Sequence, residues 1–279
     1  MKIVDAHTHT EFRSANDYWY MSMAGVSTII DPATFGGYEK KTPDVYYHYY
    51  ERLLNFETWR AKKNGIDLFV GVGVDPEDFT DVDVALEVIE NIPGKYFGHE
   101  KCCCLGEIGL DKGTADEEKV FRKQLEIVGK YKIPAIIHTP QVQQTERIEQ
   151  IVSTVNTYLD EYPHIKEYLL LDEIIPVNLP RVIDTGFAFY GVPASPVLDS
   201  PFVVHRKAPW NEIYELVKEF GSDKIILNSA LAWGYGDGLS LSKIRLSLLQ
   251  NGVDEKILDR LFYYNASSFF NKFKKIIPE

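Results

Sequence analysis

Cysteine is scarce in this chain: three residues in 279, and those consecutive, Cys102 to Cys104. A disulfide framework is excluded, and a reducing setting, the cytoplasm, is expected. On an extended strand Cys102 and Cys104 share a face, with Cα atoms about 6.5–7 Å apart, the upper limit for bridging. With no second Cys/His cluster to follow, they read as small, buried, inert thiols. Long hydrophobic runs are also missing. No apolar stretch is long enough to span a bilayer, and Asp5 and His7 interrupt the first apolar run before it can resemble a secretion signal. Basic residues are outnumbered, 30 against 41 acids, for a formal charge of −11. Unassisted binding to DNA, RNA or an anionic membrane is thereby disfavoured. No glycine-rich phosphate loop follows the first apolar run, and Gly71-Val-Gly-Val-Asp-Pro76 lacks dinucleotide spacing. Linkers, low-complexity segments and a basic tail are absent, so residues 1–279 read as one domain.

Eight short apolar runs are present, at 2–10, 25–33, 66–74, 101–108, 133–139, 167–174, 187–194 and 224–230. They are β-branched and aromatic, nearly continuous in apolarity, as strands buried on both faces are. Helical patterns lie between them. The clearest is 114–131, where Thr114 and Glu117 form a capping box and Phe121, Leu125 and Val128 line one face. Segments 44–64, 82–91, 141–160, 176–185, 209–220 and 241–262 fill other crossovers, and 11–24 has the faintest helical pattern. This alternation predicts a closed (β/α)8 TIM barrel, with an open doubly wound sheet as the alternative.

In such barrels chemistry sits at the C-terminal strand ends. Here those ends carry His7 and His9, Glu107, His138, and the pair Asp172 and Glu173. Alternation with period two gives His7 and His9 a common direction. It pairs Glu107 with Cys103 and Leu105, His138 with Ile136, and Glu173 with Leu171, and it turns Asp172 outward. Imidazoles and carboxylates converging on one rim suit zinc or a similar divalent ion, with a glutamate able to bridge two. Arg13, close behind strand one, is placed to hold an anionic substrate group bidentately. The His205-Arg206-Lys207 loop offers the same charge, although a solvated basic loop is the commoner role. Asp111 reads as a turn residue. Around His48, Tyr46, Tyr49, Tyr50 and Leu53 follow helical spacing and belong in a core.

These residues resemble the TatD-like metal-dependent hydrolases of the amidohydrolase superfamily. Asp5-Ala-His-Thr-His-Thr10 is similar to the family's opening HxH motif, Gly106-Glu-Ile-Gly-Leu-Asp111 to its strand-four signature, and Pro134-Ala-Ile-Ile-His-Thr-Pro140 to its strand-five histidine. Lys224-Ile-Ile-Leu-Asn-Ser-Ala230 resembles the strand-eight region, and Tyr263-Tyr-Asn-Ala-Ser-Ser-Phe-Phe270 the terminal N-x-x-x-F pattern. The resemblance implies His7, His9, Glu107 and His138 as metal ligands, with Glu173 in the place of a strand-six histidine. It also implies an aspartate at the end of strand eight, whereas Ala232 stands there and the next carboxylate is Asp237. The expectation is a hydrolase with one or two divalent ions, zinc first and magnesium or manganese as alternatives. It would act on an ester, amide or phosphodiester bond of a small molecule. The missing acid motivates two alternatives: a catalytically impaired barrel that binds a ligand or partner, and a metal-dependent lyase or isomerase.

Overall fold

The apolar runs become eight parallel strands paired in chain order. They are β1 (Ile3–Asp5), β2 (Val26–Pro32), β3 (Asp67–Val72), β4 (Cys102–Gly109), β5 (Ala135–His138), β6 (Leu169–Leu171), β7 (Phe189–Pro193) and β8 (Ile225–Asn228). The computed structural model describes residues 2–196 and 207–278. The ring closes just beyond the ends of β1 and β8. There Ala230 N–H donates to His7 O at 2.9 Å, His9 N–H donates to Leu231 O at 2.8 Å, and Thr8 and Leu231 form a parallel bridge. Thr8 N–H donates to Ile30 O on the other side, at 3.1 Å. The two histidines therefore stand on a segment held from both flanks. The architecture is the (β/α)8 barrel.

The helices are α1 (Ala15–Met23), α2 (Pro43–Glu51), α3 (Thr58–Lys63), α4 (Val82–Tyr96), α5 (Ala115–Tyr131), α6 (Gln144–Asn156), α7 (Leu179–Val182), α8 (Trp210–Phe220), α9 (Ser240–Gln250), α10 (Glu255–Asp259) and α11 (Asn265–Phe270). Segment 11–24 forms a firmer helix than its pattern suggests, because Ser14 and Asp17 cap α1 reciprocally. Segment 176–185 forms less: a 3-10 turn and then the four-residue α7. Pro176 and Pro180 lack the N–H groups that a longer helix needs.

Two apolar layers result. Inside the ring lie Val4, Ala6, Ile30, Cys103, Ile136, Leu170 and Ile226; the larger layer fills the space between strands and helices. Phe269 and Phe270 of α11 belong to the inner layer. Asn265 Nδ2 fixes that helix by donating to Ser222 O and Ile225 O, both at 2.7 Å, which accounts physically for the terminal Asn…Phe pattern. All three cysteines are buried and free, and burial pushes the Cys102 and Cys103 thiols up, away from the reactive thiolate. Tyr46, Tyr49, Tyr50 and Leu53 are core residues. Among the described residues no helix is long and apolar enough to cross a membrane.

The expected facing of side chains fails at two strands. On β4, Cys103 and Cys104 both join the inner layer while Leu105 faces the helices, and the register with β5 shifts between Leu105 and Ile108. Glu107 therefore does not share a face with Leu105. On β6, Leu170 is inside and Leu171 outside, so Asp172 turns inward, not toward the helices. Glu173 then takes a left-handed backbone, φ 59°, and also reaches the site.

Candidate metal centre

Among the described residues three groups of ligand-type atoms lie within 4.8 Å of one another: His7, His9 and Glu107; Glu107, His138 and Glu173, which shares Glu107 with the first at the barrel mouth; and His9, Glu11 and Asp31, which has one member only partly buried. The structure thus brings together the five side chains expected as metal ligands, with Glu107 common to the two groups that hold them. All five are buried. Glu107 Oε2 lies 3.3 Å from His9 Nε2; its Oε1 lies 3.6 Å from His7 Nε2 and 3.5 Å from His138 Nδ1. Glu173 Oε2 is 2.8 Å from His138 Nδ1.

The protons on the first two histidines are assigned by their neighbours. His7 Nδ1 faces the Asp172 carboxylate at 2.8 Å and His9 Nδ1 faces Pro32 O at 3.1 Å; both partners only accept, so both Nδ1 atoms donate. The two Nε2 atoms are left with lone pairs, and they face each other at 3.0 Å. Only a cation satisfies that arrangement. Glu107 Oε1 is buried and makes no hydrogen bond, which adds an anionic donor at the same point. The donor set therefore suits one or two divalent ions. In the protein alone a proton takes this role. Burial opposes charge on His7, but Glu107 and Asp172 outweigh it and raise its pKa well above the usual value. Burial and then the neighbouring His7 hold His9 down to about 4. Glu107 stays well below the usual carboxylate range despite burial, because His7 and His138 favour its charge.

Asp172 is the residue that the expected phase of β6 misplaced. Its Oδ2 takes the His7 proton, and its Oδ1 accepts from Asn228 Nδ2 at 2.8 Å and from Glu173 N–H at 2.7 Å. Three donors saturate the carboxylate and orient the imidazole. The space it needs comes from Gly191 on β7: a Cβ there would fall 1.7 Å from Asp172 Oδ1. Gly191→Ala is expected to cost about 2–3 kcal/mol of stability through overpacking, read as a lowered Tm, and to weaken metal binding as Asp172 is displaced.

The end of β8 is braced without an acid. Ser229 N–H and Oγ donate to the two Asp5 oxygens at 2.9 and 2.5 Å, tying β8 to β1. Lys207 Nζ donates to Ser229 O and Ala230 O at 2.6 and 3.0 Å, and burial pushes its pKa down to about 8. The basic run thus sends one buried cation beneath the β8 loop; His205 and Arg206 lie outside the described residues. Arg13 is buried, with Nη2 donating to Ala232 O, so its guanidinium joins the loops after β1 and β8. Asp237 caps the turn before α9 through Leu239 N–H and pairs with Lys243 Nζ at 2.6 Å.

Above the ligands opens a cleft of about 680 Å³, lined by Phe35, Glu77, Asp111, Lys112, His138 and Trp233 among others. Asp111 Oδ1 lies 3.9 Å from His138 Nε2, and that contact holds its carboxyl below the usual range. Desolvation pushes the Glu77 carboxyl up to about 7. Phe35 rides on the loop after β2, which Lys40 pins by donating to Thr34 O at 3.1 Å and to Asp78, beneath the Tyr49 ring. Phe35 and Trp233 were not visible as site residues in the sequence, because single aromatics in loops carry no periodic signal.

The pattern of the TatD-related DNase family matches residues 4–162. An uncharacterised metal-dependent hydrolase of Methanocaldococcus jannaschii is 31% identical over 268 residues, 96% of this chain and 99% of the relative. Two solved structures share the fold. A TatD-like protein from Archaeoglobus fulgidus has a TM-score of 0.75 at 19% identity, covering 96% of this chain and 99% of its own. The phosphotriesterase homology protein from Escherichia coli, complexed with phosphate in its active site, has 0.68 at 16%, covering 96% and 98%. With more than half of the chain matched and a relative aligned end to end, this chain belongs to the TatD-related family of metal-dependent hydrolases.

Proposed function

We propose that the protein hydrolyses an ester, amide or phosphodiester bond of a small molecule at a two-ion centre held by His7, His9, Glu107, His138 and Glu173. The observation that carries this reading is the sharing of Glu107 between two buried ligand groups. Divalent ions there supply Lewis acidity and make water nucleophilic near neutral pH. The protein's own part is placement. Asp172 and Pro32 O hold the His7 and His9 rings with Nε2 lone pairs toward the site, and Glu107 links the two groups. Phe35 and Trp233 give the cleft apolar walls. Zinc suits the mixed nitrogen and oxygen donors first, with magnesium and manganese behind it.

The small-molecule assignment rests on charge. Asp111, held ionised, and Glu77, partly ionised near neutral pH, line the cleft beside the ligand carboxylates, with Lys112 as a cation on the same wall. Such a wall repels a polyphosphate backbone. Arg13, if released from Ala232 O, is the guanidinium close enough in sequence to His9 to meet a substrate anion. The chain is taken to work in the cytoplasm, consistent with its free thiols.

The test is hydrolysis by chelator-stripped protein reloaded with zinc, manganese or magnesium. Substrates are p-nitrophenyl esters, p-nitroanilides, bis(p-nitrophenyl) phosphate and single-stranded DNA. Turnover of a small substrate only after reloading is the expected result. Cleavage of DNA alone overturns the small-molecule assignment. No turnover with any ion overturns the hydrolase, and activity appearing only in Ala232→Asp then favours the impaired barrel. That second reading draws on Asp237, which is committed to Lys243 and the α9 cap.

A further inference from the structure

Helix α1 is apolar on both sides. Tyr18 and Met21 pack inward, whereas Trp19, Tyr20 and Met23 are 52%, 46% and 69% exposed. Trp19, Tyr20 and Met23 together leave a large apolar surface on the outer side of this helix. Its neighbour repeats the pattern. Ala61 of α3 is buried, while Trp59 and, in the preceding turn, Phe56 stack at 6.0 Å between centroids and are about half exposed. The two helices lie side by side: the Arg60 guanidinium sits 5.1 Å from the Tyr18 ring and donates to Arg13 O at 2.7 Å, and Gly65 approaches Ser22 at the far end.

Five large side chains, each showing roughly 100 Å², expose about 500 Å² in total on these neighbouring helices, whose aromatic rings are linked by Arg60 between Tyr18 and Phe56. Monomers rarely leave more than a few hundred uncovered. A stable interface takes about 800 Å² from each partner, and its energetic centre is rich in Trp, Tyr and Arg.

We propose that this face joins two copies of the chain about a twofold axis, α1 of one copy lying across α3 of the other. Charge favours a second copy. Asp17 is the one charged residue of α1, while α3 carries Arg60, Lys62 and Lys63 and no acid. Arg60 and Lys62 already face Glu57 and Asp67; Lys63, beside the Trp59 ring, has no acidic partner among the described residues. A twofold axis brings Asp17 of each copy toward Lys63 of the other, a self-complementary pairing between chains that otherwise repel at −11 each.

Light scattering on the full chain at micromolar concentration is expected to give twice the 31.9 kDa chain mass. Trp59→Glu and Met23→Glu each are expected to weaken self-association by about thirtyfold. The double variant should run at one chain mass with unchanged far-UV circular dichroism and unchanged metal content. A wild-type protein that stays at one chain mass overturns the proposal and leaves the face for another partner. So does a folded double variant that keeps the doubled mass. Met23→Lys, at the most exposed of the five positions, gives the same readout should the double variant misfold.

Discussion

Glu107→Gln is expected to empty both halves of the metal centre at once. The carboxylate is the one side chain common to the group of His7 and His9 and the group of His138 and Glu173. It is also the anion that faces three imidazoles, at 3.3 to 3.6 Å. Glutamine keeps the volume and loses the charge, so the His7 and His9 lone pairs are left without a bridging anion to draw an ion between them. Metal analysis after dialysis should give about two ions per chain for the wild type and close to none for the variant. Glu173→Gln is the control, because Glu173 belongs to one group only; it should retain about one ion. Hydrolysis should fall by about 10³-fold or more in Glu107→Gln, the equivalent of several kcal/mol of Lewis-acid stabilisation. A Glu107→Gln protein that keeps two ions shows that this carboxylate is not a ligand.

Much of the barrel was legible because its signals are local and repeated. Each strand is a continuous apolar run bounded by polar segments, and α5 declares itself through the Thr114 cap and its apolar stripe. The ligand positions were legible for a related reason: a histidine or glutamate directly after an apolar run marks a strand end. What stayed hidden depends on departures from regular backbone. The slip on β4 sets Cys104 inside and Leu105 outside, and the left-handed Glu173 lets two consecutive acids both face the site. Neither is written in a two-residue period. The partner of His9 is a backbone carbonyl, Pro32 O, and backbone acceptors have no sequence signature. The length of α7 depends on proline punctuation and not on apolar pattern. The bracing of β8 by Asp5 and Lys207 joins residues more than 200 and about 20 positions away, contacts that only the closed ring creates.

Asp172→Asn is expected to reduce metal affinity 10- to 100-fold, as loss of a ligand's orienting carboxylate commonly does, without touching any atom that holds the ion. Three donors converge on the two oxygens of Asp172: His7 Nδ1 on one, Asn228 Nδ2 and Glu173 N–H on the other. An asparagine has one oxygen. Turned to serve the two donors, it points its amide toward His7, donor against donor. The ring then relieves the clash by moving its proton to Nε2, which leaves Nδ1 to accept. That tautomer places hydrogen on the nitrogen that faces His9 and Glu107, and a ligand becomes a blocked position. The alternative rotamer serves His7 but leaves an amide against the Glu173 N–H, and the left-handed turn that presents Glu173 loses its anchor. Either way the damage falls on the metal centre and leaves the apolar layers intact. Isothermal titration of zinc into the stripped proteins measures the loss, and nitrogen-detected NMR of His7 reports the tautomer. Wild-type affinity together with an Nδ1-protonated His7 in Asp172→Asn contradicts the assignment of Asp172 as the group that orients this ring.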